Sequence, residues 1–142
     1  MEQFISAVWL AKFNNSTELS DYVEWIYPED ENEQEDPTCM FASDIGINWF
    51  DHDFIESGYY GTSSEVLKNI EGHSFVEYYL PDLQQKLNSI DYSDKNSIII
   101  LSGIRDDINS FLFNFTPINI GKEHLQFVGL FQYLVSKDEK FM

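Results

Sequence analysis

The run Asn96-Ser97-Ile98-Ile99-Ile100-Leu101-Ser102-Gly103 narrows the possible folds more than any other stretch of the chain. Side chains along a strand point alternately to opposite faces, so four consecutive branched apolar residues leave neither face for water. Such a run marks a central strand in a sheet covered on both faces. Phe4 to Phe13 reads as a first strand, with Ile5, Val8, Trp9 and Leu10 supplying strand-favouring bulk. Leu125, Phe127, Gly129, Phe131 and Tyr133 alternate over a last strand from about His124 to Leu134, with Gly129 marking a close approach or a bulge. Phe111, Phe113 and Phe115 alternate too and predict a strand closed by Pro117. Gly46 to Glu56 predicts one more, an edge or surface strand with Phe50, His52, Phe54 and Glu56 on one face and Trp49, Asp51, Asp53 and Ile55 on the other.

Helices are expected between the strands. Asn15, followed three residues later by Glu18, has the form of a capping box. Leu19, Tyr22, Val23 and Ile26 then make one helical face over Ser16 to Ile26, and Trp25 falls off that stripe, where it packs under the next loop. Asp36-Pro37 at one end and Gly46 at the other bound a short helix from Pro37 to Ile45, with Met40, Phe41 and Ile45 inward. Thr62 and Glu65 cap a third helix with Val66, Leu67 and Ile70 inward, stopped by Gly72. Pro81 breaks the apolar spacing after His73 and starts a fourth helix to about Asn88. The tail from Lys137 to Met142 is expected to fray. The predicted fold is α+β: an antiparallel or mixed sheet of four to five strands packed by three to four helices, in a single domain over residues 1–142. With 43% hydrophobic and 16% aromatic residues, the chain has ample material for one core.

Charge excludes several functions. The net charge is −17, and residues 13 to 67 hold 14 acids without one Lys or Arg. A field of one sign repels nucleic-acid phosphate and anionic lipid and steers a cationic partner inward, so direct binding to nucleic acid or membrane is not expected. No unbroken apolar run reaches membrane-spanning length, and no basic-then-apolar leader opens the chain. One cysteine, Cys39, cannot form an internal disulfide, which fits a reducing, cytoplasmic setting.

Asp51-His52-Asp53 with Glu56 is the one dense set of ionisable groups beside apolar residues. On a strand, His52 points away from Asp51 and Asp53, which argues against a shared metal ion or a catalytic pair, and neither metal nor cofactor is expected. Protein binding asks for less. Trp49 beside Asp51, His52, Asp53 and Glu56, together with the acidic loop carrying Asp30, Glu31, Glu33 and Glu35, suits an interface with an aromatic anchor and carboxylates facing Lys and Arg. An acidic nucleic-acid mimic, an adaptor, and a small metal-dependent hydrolase using Asp51, Asp53, Glu56 and a histidine are the alternatives. Val8-Trp9-Leu10, the helix with Leu19 and Tyr22, the run Ile47-Asn48-Trp49-Phe50-Asp51-His52-Asp53-Phe54-Ile55-Glu56 and Phe127-Val128-Gly129-Leu130-Phe131 resemble the immunity protein 22 family of bacterial polymorphic toxin systems. The resemblance implies a small cytoplasmic α+β protein, not an enzyme, that binds a cognate toxin and blocks it. Asp51, His52, Asp53 and Glu56 are the matching positions, and the acidity points to a cationic toxin such as a nuclease.

Overall fold

The computed structural model describes residues 1–27, 37–116 and 124–136. Four strands, β1 (Glu2–Ala11), β2 (Ile55–Tyr59), β3 (Ser97–Ile104) and β4 (Leu125–Val135), form one open sheet in the order β2-β3-β1-β4. All three neighbouring pairs are antiparallel. Four helices, α1 (Ser16–Val23), α2 (Met40–Ile45), α3 (Ser63–Asn69) and α4 (Leu80–Asn88), complete an α+β architecture.

The branched run does what its composition demands, for every residue of β3 is buried. Ile98, Ile100 and Ile104 face one side with Phe4, Val8 and Leu10, under α3, α4 and the turns between them. Ile99 and Leu101 face the other side with Ile5, Ala7 and Trp9, under α1, α2, Phe50 and the 3-10 turn Ser110–Asn114. Each fully buried Ile or Leu contributes about 1.5–3 kcal/mol. An exposed ion pair such as Lys68–Glu65 contributes about 0–1 kcal/mol, so the two apolar layers hold the fold. A hydroxyl line, Ser102–Ser6–Tyr133 with two bonds of 2.8 Å, crosses three strands on the Phe4 face.

The helix starts follow the expected chemistry. Asn15 accepts from the Glu18 amide at 2.8 Å and Thr62 from the Glu65 amide at 3.2 Å. Gly46, in the left-handed region at φ 81°, ends α2. Helix α2 begins at Met40 rather than Pro37, and Asp36 lies outside the described residues. Met40 and Leu67 are exposed rather than inward. Helix α1 stops at Val23 because Ile26 leaves to pair with Thr38, through main-chain bonds of 2.7 and 2.9 Å, and its side chain is exposed.

Two expected strands take other forms. The alternating phenylalanines 111, 113 and 115 lie in or beside a 3-10 turn in which Leu112 is fully buried and the rings flank it. Asn109, at φ 49°, turns the chain into it, and the Arg105 guanidinium sits 4.2 Å over Phe113. The stretch from Gly46 to Glu56 enters the sheet only at Ile55, after a 3-10 turn over His52–Phe54. Strand β4 also departs from simple alternation. A bulge opposite Val8 and Trp9 pairs these with Gly129 and Phe127, leaving Val128 extra. Leu125 and Phe127 therefore join Trp9, while Phe131 and Tyr133 join Phe4. The tail beyond residue 136 lies outside the described residues.

Candidate functional site

Phe50 anchors the turn that carries the acidic motif. It is fully buried, and Trp25 packs on it at 5.1 Å while donating its indole N–H to the Phe50 carbonyl at 3.2 Å. Trp25 is buried against this turn, while the loop expected to cover it lies outside the described residues, and Trp49, half-exposed, stacks on it at 4.7 Å and 27°. The next residue is clamped from across the molecule. The Asp51 amide donates to Asn109 Oδ1 at 2.6 Å, and Asn109 Nδ2 donates to the carbonyls of Asp51 at 3.2 Å and Ser102 at 2.9 Å. The Asp51 carboxylate then accepts from the Asp53 amide at 3.0 Å and so caps the 3-10 turn.

A turn, unlike a strand, does not alternate. Donor atoms of Asp51, His52 and Asp53 therefore come within 4.8 Å of one another, where strand geometry would have separated them. His52 and Asp53 stand in open solvent with their side chains 3.6 Å apart. Asp51 is committed to its cap, and no other His, Cys, Asp or Glu joins the group among the described residues.

Glu56 goes elsewhere. Within β2 it faces the opposite layer, where its carboxylate accepts from the Ser74 amide at 3.1 Å and lies 3.4 Å from His73 Nδ1. His73 Nε2 is 2.8 Å from the Tyr60 hydroxyl. The hydrogen bond from His73, aided by Ser74 and opposed by burial, holds the Glu56 carboxyl below the usual glutamate pKa. Glu56 is therefore a structural strap between β2 and residues 73–74, separate from the Asp51 turn. Since its folded-state pKa is depressed, its contribution is present above the unfolded-state pKa and disappears as pH falls through the folded-state value. Glu56→Gln should therefore flatten the acid limb of a plot of unfolding free energy against pH while changing little of its shape above pH ~6. An unaltered acid limb would show that the strap carries no proton linkage.

Two open grooves flank α1. One, about 460 Å³, is lined by Ser20, Val23, Glu24, Trp25, Tyr27, His52, Ile55 and Ser57. The other, about 590 Å³, includes Tyr22, Asp44 and His124. There the Tyr22 hydroxyl donates to Asp44 at 2.6 Å, and burial together with that bond pushes the phenol pKa far up. Glu18 lines the second groove and Glu24 the first, and both, like Asp21, stand exposed. The expected acidic loop residues Asp30, Glu31, Glu33 and Glu35 lie outside the described residues. Sequence reasoning did not find Asn109, Glu24 or Tyr27. The turn-forming tract Asp106-Asp107-Ile108-Asn109 after the central strand was a signal for the first.

The sequence pattern of the immunity protein 22 family matches residues 6–134, from inside β1 to inside β4. The chain belongs to that family. No match arises among curated proteins or among solved structures. Membership in immunity protein 22 implies an inhibitor of a toxin rather than an enzyme. In this member of the immunity protein 22 family the Asp51 turn, the Trp25–Trp49 stack and α1 lie on one side of the sheet, while Glu56 supports the other. Among the described residues, no helix is long and apolar enough to cross a membrane.

Proposed function

We propose that the protein binds a basic bacterial toxin, such as a nuclease, in the cytoplasm and neutralises it through the surface formed by Trp49, Asp51, His52, Asp53 and the exposed acids of α1. The observation that carries this reading is the origin of the layer over the Trp9 face. Three of its four described parts, α1, α2 and the Asp51 turn, come from the segment that holds no Lys or Arg, and the 3-10 turn Ser110–Asn114 is the fourth. A protein that grips phosphate must be basic, and a field of one sign speeds its capture. Trp49 supplies a half-exposed aromatic on a rigid partner ring, the kind of anchor that dominates interface energies. Asp30, Glu31, Glu33 and Glu35, acids of the same base-free segment, are proposed to contact the toxin as well, whereas Glu56 is not.

The class is tested by co-expression with a toxin domain, should the neighbouring gene encode one: growth should be restored and one complex recovered. Failure of both would end the immunity reading. The acidic-surface mechanism is tested by replacing Glu18, Asp21 and Asp53 together with Gln, Gln and Asn. At low salt the association rate should fall about tenfold, and its dependence on ionic strength should flatten. Unchanged association kinetics would place recognition elsewhere.

A further inference from the structure

We propose that the groove between the end of α1 and the edge of β2 receives an arginine or lysine side chain of the partner protein. The inference rests on the immunity reading and names what one groove of that surface binds. Four features converge there. Helix α1 ends at Val23 with its last turn against the groove, and the carbonyl end of a helix carries partial negative charge. That last turn holds no basic residue, and Glu24, which follows it in extended conformation, adds a full negative charge where a cation would ordinarily be favoured. The exposed ring of Tyr27 gives the groove an aromatic wall, over which a guanidinium or ammonium is attracted by the ring face, and Trp25, buried and stacked on Trp49, forms part of its lining. Ser20 and Ser57 add hydroxyls at its border, and its volume of about 460 Å³ leaves ample room for one long side chain.

Charge complementarity selects the occupant. Within residues 13–67 no Lys or Arg is available to fill the groove from the same segment. Lys12, just outside that segment, lines the other groove. His52, at the border, already faces Asp53 at 3.6 Å. A carboxylate at the carbonyl end of a helix is locally unfavourable, and a partner's cation relieves it on binding.

The test uses the whole protein with 15N-labelled tryptophan. N-acetyl-arginine methylamide is the probe, and its uncharged citrulline isostere is the control. The indole N–H signals of Trp25 and Trp49 should shift saturably with the arginine compound and stay put with citrulline, and Glu24→Gln should weaken the response at least fivefold. Equal responses to both compounds, or none to either, would overturn the proposal. In complexes with the toxin domain, Glu24→Gln with Tyr27→Ala should lower affinity about thirtyfold without shifting the melting temperature, since both side chains are exposed. Ser57→Arg, which places a cation of the chain's own in the groove, should weaken binding in the same way. Wild-type affinity in these variants would overturn the groove assignment and leave the immunity reading standing. A wild-type protein that neither binds nor protects would instead end the immunity reading, and the probe titration would still judge the groove.

Discussion

Trp9→Ala is expected to lower the unfolding free energy by about 3–5 kcal/mol, the range for removing a large aromatic from a packed core. Trp9 is 1% exposed at the centre of β1, with Phe41 edge-on at 4.9 Å, Phe127 at 5.4 Å and Phe115 at 6.2 Å. Its ring therefore joins α2, β4 and the 3-10 turn over one face of the sheet. Deletion leaves a void that three separate elements would have to close at once. Ordinary domains are stable by only about 5–15 kcal/mol, so the variant would stand near the limit of folding. Urea denaturation would show the loss as a lower midpoint with little change of slope. Trp49→Ala is the contrast, for that ring is half-exposed and its removal costs mainly one stack, about 0.5–1.5 kcal/mol. Equal losses for the two tryptophans would contradict this description of the core.

Asn109→Ala should be the most damaging single change outside the apolar core, at roughly 3–5 kcal/mol. Three hydrogen bonds disappear: one donated by the Asp51 amide and two accepted by the carbonyls of Asp51 and the buried Ser102. Each buried group left without a partner costs about 1–3 kcal/mol. Alanine must also adopt φ 49°, a conformation that costs a residue other than Gly, Asn or Asp about 1–2 kcal/mol. Asn109→Gly separates these contributions, because it relieves the backbone and restores none of the bonds. It should recover about 1 kcal/mol of the loss. Gly103, within β3, makes the clamp hard to replace: a Cβ there would lie 2.5 Å from the Asn109 carbonyl oxygen, so the Asn109 loop and β3 approach as closely as glycine allows. Amide exchange at Asp51 and Asp53 should accelerate in Asn109→Ala well beyond the global loss of stability. Protection unchanged relative to the global value would show that Asn109 does not hold the acidic turn.

The central strand was legible because four branched apolar residues in a row admit few environments, and the caps at Asn15 and Thr62 were legible because they are local. The acidic turn was not. Alternating apolar and acidic residues from Gly46 to Glu56 look the same whether the chain is extended or turning, and what decides is a contact from Asn109, 58 residues away. The same contact explains why Glu56 and the Asp51 turn, neighbours in sequence, serve opposite faces: β2 begins only once the turn is complete. Alternation also misled at Phe111, Phe113 and Phe115, where three rings surround a buried leucine rather than share a strand face. The groove beside Glu24 depends on α1 and β2 lying together, and no local pattern reports that.

The strand order β2-β3-β1-β4 puts the first strand of the chain between the two last ones. Ser6 finds Ser102 and Tyr133 at separations of 96 and 127 residues, so β1 has no ladder partner until most of the chain has been synthesised. Closing loops of that size before any pairing is gained makes folding slow relative to helical domains of similar length. A ribosome-bound chain that stops before β4 leaves one edge of β1 open. Refolding from urea should accordingly run on the millisecond-to-second scale of sheet proteins with distant pairings.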